Sequence, residues 1–382
     1  MELDELRIKI DEIDKRLVED VRERMKVSAE IGRYKREQGI PVFDPKRERE
    51  VLQKIVDLAG DPELSSYYRV LYSLLFELSR SYQNRLINDN DEELREIQHA
   101  IENTPKMFPK TARVACQGVE GAYSTIACEK LFKSPNIMYL GNFEGVFSSV
   151  ENGLCDYGIL PIENSTAGSV KKVYDLMLSH KFRIVRSTRI KVNHCLIARQ
   201  GTEIKHIREI FSHEQAINQC REFLKELGSN VKITEVENTA VAASMVAQSG
   251  RDDVAAISSY RCAELYGLKC LEANIQDNGN NHTRFICISK NTEVYPGANK
   301  TSIMMVLNHR PGALYKMLAR FYALDINVVK LESRPMPDRD FEFMFYFDIE
   351  TSVYSEEFAQ LIKELSDGAE EFYYLGSYNE VI

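Results

Sequence analysis

The chain has 382 residues, with 49 Lys and Arg against 58 Asp and Glu and a formal net charge of −9. That length suggests two or three domains, and 44% hydrophobic with 28% charged residues excludes a wholly disordered chain. The acidic balance argues against a general nucleic-acid binder, and no apolar run approaches the ~18 residues of a membrane helix. The N-terminal stretch MELDELRIKIDEID has no signal-peptide core, so a cytoplasmic protein with no membrane partner is expected.

Residues 1–87 read as helix only, with one internal break at Gln38-Gly39-Ile40-Pro41. The first helical pattern carries a stripe at Leu3, Arg7, Ile10, Asp14, Leu17, Val21, Arg24, Ser28, Ile31 and Lys35. Spacings of four and three put these on one face. Its aliphatic members pack, but Arg7, Arg24 and Lys35 belong in a seam only if an anion meets them or if they snorkel to solvent. Asp44-Pro45 opens a second helix as N-cap and first-turn proline. Glu48 then falls in line with Leu52 and Ile55, and Ser79 and Gln83 continue an aliphatic row with Leu71 and Leu75 on a third helix. Cations, carboxylates, a hydroxyl and an amide thus converge from three helices, as a small hydroxylated polyanion would require. A first helix of ~50 Å (~1.5 Å per residue) overhangs such a bundle and should pack on a second copy.

The segments LRIKIDEID, ERMKVSAEIGRYK, PVFDPKREREVL and ELSRSYQ resemble the all-helical chorismate mutase family. That resemblance implies an intertwined dimer that binds chorismate. It implies Arg24 and Arg47 on the carboxylates, with Arg7 reaching in from the other chain. Lys35 and Gln83 would be the catalytic donors to the ether oxygen, and Asp44, Glu48 and Ser79 would meet the ring hydroxyl and line the pocket.

Residues 88–110 are polar and acidic, closed by Thr104-Pro105 and Phe108-Pro109, and read as a linker whose middle has helical character. From 111 to 292 short apolar runs alternate with helical stretches, as in an α/β domain, here of two lobes with a cleft between. Strands are expected at Arg113–Cys116, Ile137–Leu140, Tyr157–Pro161, Ile184–Ser187, His194–Ala198, Lys232–Val236, Val254–Ser258 and Arg284–Ser289. Polar turns follow several of them, which points to a ligand crevice at strand ends. The eight cysteines form no CxxC pair and the seven histidines no HExxH motif, so no metal site or cofactor is expected.

The motifs GVEGAYS, PIENSTAGSV and NHTRF, in that order, resemble the prephenate dehydratase family across roughly 111–290. The resemblance implies Thr283 as catalytic donor, with Glu163, Asn164, Ser165, Ser212, Gln219, Glu237 and Thr239 around prephenate. On residue type alone, Ser165 or Thr239 would serve equally as a helix cap and Gln219 as a surface residue. Arg284, on the opposite face of its strand from Thr283, has a supporting role in this reading.

Residues 299–382 read as strand (301–307), helix (312–323), strand (326–334), strand (341–349), helix (355–366) and strand (370–377). This is the α+β, ferredoxin-like βαββαβ order. PGAL at 311–314 and LESRP at 331–335 within it resemble the ACT regulatory domain. Such a domain implies phenylalanine held between two copies by Asn308, Pro311, Gly312, Ala313, Leu314, Glu332, Ser333 and Arg334. The whole chain then reads as a multidomain, homo-oligomeric, phenylalanine-regulated chorismate mutase–prephenate dehydratase. Two alternatives stay open: arogenate in place of prephenate, and a binding protein with a decayed helical arm.

Overall fold

The computed structural model describes residues 3–87, 92–336 and 342–382. Expectations that fall on 88–91 or on position 341 lie outside the described residues. In chain order the helical part contains α1 (Leu3–Glu37), α2 (Pro45–Ala59), α3 (Ser65–Ile87) and α4 (Glu92–Asn103). There follow β1 (Arg113–Gln117), α5 (Tyr123–Leu131), β2 (Asn136–Leu140), α6 (Phe143–Glu151), β3 (Tyr157–Asn164), β4 (Gly168–Ser169), α7 (Lys171–His180) and β5 (Arg183–Lys191). Next come β6 (Cys195–Ala198), β7 (Glu209–Ser212), α8 (Glu214–Gln219), α9 (Arg221–Glu226), β8 (Lys232–Glu235) and α10 (Thr239–Gln248). The series continues with β9 (Val254–Ser258), α11 (Tyr260–Leu265), β10 (Lys269–Ala273) and β11 (His282–Ser289). Last are β12 (Lys300–Val306), α12 (Ala313–Ala323), β13 (Asn327–Pro335), β14 (Phe343–Glu350), α13 (Glu356–Gly368) and β15 (Glu371–Val381).

The chain folds as two units. One holds the residues up to Glu96 together with Ile303–Tyr373; the other holds Ile97–Ser302 with Tyr374–Ile382. The chain passes between the units at 96/97, within the 88–110 stretch, at 302/303, close to 299, and again at 373/374. Within the described residues, the expected linker contains α4, whose Ile97 and Ala100 are buried. Strands β12 and β15 each contribute residues to both units.

In the first unit, α1 and α3 pack side by side with α2 against α3. Asp44 caps α2 by accepting the Arg47 N–H at 3.0 Å, and Pro45 occupies the first turn. Gly60 ends that helix at φ 63°, a left-handed conformation in which glycine meets no Cβ penalty. Only the C-terminal part of α1 is buried, at Ser28, Ala29 and Gly32. Its first half leaves Leu3, Ile10 and Leu17 at least half exposed. The remaining strands follow the order β13-β14-β12-β15, with α12 and α13 in contact with one another.

The second unit has two sheets. The first runs β15-β5-β11-β3-β1-β2, and the second runs β10-β6-β9-β7-β8. Strand β3, YGILPIEN, is almost continuously buried, as expected of a central strand covered on both faces. Strand β11 returns late in the chain to lie antiparallel between β3 and β5. The first lobe is therefore closed by residues that follow the second lobe in sequence. Residues 379–381 of β15 lie parallel to 186–188 of β5. Strand β10, unpredicted by the hydrophobic pattern, borders the second sheet beside β6. Its sequence KCLEA shows little alternation.

Candidate active sites

A cavity of about 490 Å³ opens among α1, α2 and α3. Its walls include Arg24, Lys35, Asp44, Arg47, Glu48, Ser79 and Gln83. Arg24 donates to the Ser79 hydroxyl, and the Ser79 O–H donates to Leu75 O at 2.7 Å. Lys35 Nζ donates to Val42 O at 2.6 Å, which holds the ammonium at the mouth of the α1–α2 turn. Gln83 Nε2 donates to Ser28 Oγ at 2.8 Å, while its buried Oε1 has no partner among the described residues. Two cations are thus held by neutral acceptors, so their charge is left for a ligand. The Asp44 carboxylate stands at the cap of α2 and, through Pro45 and the first turn, fixes where Arg47 and Glu48 project.

A second cavity, of about 470 Å³, lies between the two lobes of the other unit. Asn164 organises its floor. Its Nδ2 donates to Thr283 Oγ1 at 2.9 Å and to Asn281 Oδ1 at 2.7 Å. Its Oδ1 accepts the Thr166 and Ala167 N–H groups at 3.0 and 2.9 Å, which pins the loop after β3. Because the Thr283 oxygen serves as acceptor to Asn164, its own O–H is left to donate into the cavity. Gln219 joins the lobes: its Oε1 accepts from Asn281 Nδ2 and pairs with His194 Nε2, both at 2.9 Å. Burial lowers the pKa of His194, partly offset by the Gln219 bond, so the ring is neutral. Its Nδ1 then is a bare acceptor with no partner among the described residues. Asn238 caps α10 with bonds to Ala240 N and Val241 N, which sets Thr239 at the cavity edge.

Each cavity lies in a segment that matches a known family. Residues 6–84 match the family model "Chorismate mutase type II", and residues 114–293 match "Prephenate dehydratase". The bifunctional chorismate mutase/prephenate dehydratase of Aquifex aeolicus is 31% identical over 382 residues, spanning 100% of this chain and 99% of that protein. The chain belongs to the bifunctional chorismate mutase/prephenate dehydratase family. It is a two-activity enzyme of phenylalanine biosynthesis, an isomerase at its helical end and a dehydratase in its α/β part. An arogenate dehydratase/prephenate dehydratase of Arabidopsis thaliana is 36% identical over 317 residues, covering 76% of this chain and 82% of its own. Among solved structures, a prephenate dehydratase from Arthrobacter aurescens in complex with L-Phe superposes with TM-score 0.64 at 27% identity, covering 70% of this chain and 89% of that one.

Of the residues predicted for the mutase, Arg7 alone stands away from the cavity. It is exposed on the free half of α1 and pairs with Asp4 at 3.1 Å. Asp20, Glu23, Ser28 and Arg80, not expected at the site, also line it. For the dehydratase, Asn164, Gln219, Glu237, Thr239 and Thr283 line the cavity. Three predicted residues do not. Glu163 alternates to the other face of β3 from Asn164 and meets Arg284 at 3.0 Å. Ser212 is fully buried and donates to Ile257 O at 2.8 Å, tying β7 to β9. Ser165 donates to Asn280 O at 3.0 Å and accepts the His282 N–H, fastening the loop after β3 to the start of β11. Lining residues not among the expected site residues include Tyr123, Ser124, His194 and His213. Two of them, Tyr123 and Ser124, sit in the predicted GVEGAYS turn.

In the C-terminal stretch, Asn308, Pro311 and Ala313 border a third cavity of about 430 Å³. Gly312 caps α12 at φ 82°, and Leu314 is half-buried in that helix's first turn. Glu332, Ser333 and Arg334 lie on β13, opposite Tyr346, Phe345 and Met344 of β14.

Proposed function

We propose that the helical cavity holds chorismate with Arg24 and Arg47 on its carboxylates and Lys35 and Gln83 on the ether oxygen. A Claisen rearrangement is unimolecular, so its catalyst needs only a compact substrate conformer and a donor for the oxygen whose bond breaks. Lys35 supplies that donor as an ammonium. Gln83 supplies a second one once its amide turns end for end, which gives Ser28 an acceptor and points the NH₂ inward. Asp44, Glu48 and Ser79 would meet the ring hydroxyl, and Arg7 would enter from the partner subunit of a homodimer. The half-exposed aliphatic row on α1 supports such a partner.

The interlobe cavity is proposed to take prephenate. The start of α10 would meet a carboxylate, since its N–H groups and dipole favour an anion there. As the ring carboxylate leaves as carbon dioxide, its bonding pair would enter the ring and expel the hydroxyl, which takes the hydrogen-bonded Thr283 proton and departs as water; Thr283 would regain a proton from solvent. Aromatisation drives both cleavages, so a positioned hydroxyl donor serves and a strong acid is unnecessary. Asn164 aims that hydroxyl, and this Asn164–Thr283 bond is the observation that carries the reading.

The segment from 299 is proposed to be a ferredoxin-like ACT module that binds phenylalanine as a feedback inhibitor. Its βαββαβ succession and strand order support this, as does the L-Phe present in the Arthrobacter aurescens prephenate dehydratase. Val329 and Leu331 of edge strand β13 are exposed, which suits completion of the effector site by a second copy.

The test supplies chorismate alone and follows its loss and the appearance of phenylpyruvate, with and without phenylalanine. Lys35→Ala should stop chorismate loss yet spare dehydration of supplied prephenate. Equal loss of both reactions in a folded variant overturns the assignment of separate sites. The similarity to the Arabidopsis thaliana enzyme calls for a parallel assay with arogenate, whose amino group alone distinguishes it at this step.

A further inference from the structure

We infer that Arg80 is a positioning residue of the mutase reaction, and that helix α12 of the C-terminal segment sets it through Glu77. Glu48 is one of the carboxylates of the mutase cavity, and its carboxylate is ion-paired with Arg80 of α3. The Arg80 guanidinium spans two carboxylates, because it also pairs with Glu77 one turn earlier. Glu77 in turn meets two cations of α12, Lys316 at 2.6 Å and Arg320 at 3.6 Å. The chain of charges Glu48–Arg80–Glu77–Lys316/Arg320 therefore leads from the mutase wall into the segment proposed to sense phenylalanine. Every side chain in it except Lys316 is less than a third exposed.

Burial alone raises the carboxyl pKa of Glu77, but Lys316, Arg80 and Arg320 overcome this and hold it below its ordinary value. A carboxylate placed among three cations keeps its charge and so fixes all of them. A second contact runs in parallel. The Phe43 ring carries Arg80 at 5.0 Å and Arg310 at 5.8 Å from its centroid. Phe43 precedes Asp44, the cap of α2, and Arg310 precedes Pro311 of the proposed effector loop. Both contacts bear on α2, the helix that presents Arg47 and Glu48 to chorismate.

The consequence is that the C-terminal segment is part of the mutase apparatus within one chain. Displacing α12 by a fraction of an ångström would move Arg80 and let Glu48 turn away. Misplacement on that scale costs roughly ten- to a hundredfold in rate.

The inference rests on Glu48 acting in the mutase cavity, so Glu48→Gln is the control. The full chain is assayed for kcat and KM with chorismate and, separately, with supplied prephenate. Glu77→Gln and Lys316→Met should each lower mutase kcat by roughly tenfold with a smaller change in KM. Prephenate turnover should stay unchanged, because neither residue borders that site. Arg80→Lys should recover part of the loss seen in Arg80→Ala, since an ammonium still bridges Glu48 and Glu77. If Glu48→Gln cripples the mutase while Glu77→Gln and Lys316→Met leave it at the parent rate, the relay is wrong and the site reading stands. If Glu48→Gln itself is fully active, the site reading fails and the relay with it. Parallel loss of both activities in Glu77→Gln also overturns the inference, because it marks a defect of folding and not of position.

Discussion

At the scale of single residues, the proposed dehydratase chemistry turns on where one hydroxyl proton can go. Thr283 accepts from Asn164, so its O–H is directed by elimination. Thr283→Ala should lower phenylpyruvate formation by roughly 10²–10³-fold and let prephenate accumulate from chorismate. Thr283→Ser should keep part of the rate, and product analysis by absorbance checks both. His194 yields a prediction in pH. Its folded pKa lies below the ~6.5 of an unfolded imidazole, so between the two values the unfolded chain binds more protons. The stability from the neutral ring is complete above ~6.5 and is lost as pH falls toward the folded value. Urea midpoints measured from pH 7.5 downward should therefore drop, and His194→Gln should flatten that drop; an unchanged slope would discard the assignment. Part of this cavity's lining was legible, since Thr283 and Asn164 sit in motifs beside predicted strand ends. Glu163 stands outside the cavity for a simple reason. Strand neighbours face opposite ways, and Asn164 facing the cavity obliges Glu163 to face Arg284. His194 and Arg80 carried no local signal, because their roles arise only when a distant strand or helix is laid beside them.

At the scale of elements, α1 is the informative case. Its 35 residues carry cations on a continuous face, yet only the C-terminal half of that face meets its own chain. Arg24, Ser28, Ile31 and Lys35 of the expected stripe line the cavity, but periodicity has no means of saying what meets the rest of that face. If Arg7 serves the partner subunit, mixing Arg7→Ala with Arg24→Ala protein should restore mutase turnover. In a mixed dimer one site carries both defects and the other neither, so recovery approaches half the parent rate per mixed dimer. Absence of recovery after proven subunit exchange would place Arg7 outside the mechanism. Helix α4 was read as part of a linker because its polar residues outnumber its apolar ones. Ile97 and Ala100 nevertheless suffice to bury one side of it.

At the scale of the whole molecule, hydrophobic pattern marks where helical and α/β segments give way to one another, but it has no means of saying which distant strands pair. Composition marks where a chain turns polar, whereas compact units depend on which strands pair. Here Thr301 bonds Ser377 at 2.7 Å, Ser302 bonds Tyr378 at 2.7 Å, and Lys300 meets Glu380 at 2.7 Å. Further along, Thr188 donates to Val381 O at 2.7 Å and Arg189 pairs with Glu380 at 3.0 Å. A cut at 299 thus removes a strand from the dehydratase sheet as well as the proposed sensor. Deleting residues 377–382 should lower the temperature of half-inactivation of the dehydratase by several degrees, at roughly 2–4 °C per kcal/mol lost. Retention of full thermal resistance would show that this strand is dispensable.

The pairing of β15 with β5 also constrains how the protein is made. Thr188 and Val381 are 193 residues apart in sequence. At ribosomal speeds of about 5–20 residues per second, the edge of β5 waits roughly 10–40 s for its neighbour. During that interval it presents unpaired N–H and C=O groups, a template for pairing with another nascent chain. Slow codons or early termination in the last stretch of the message would lengthen the exposure, and solubility during synthesis would suffer before any catalytic residue was altered.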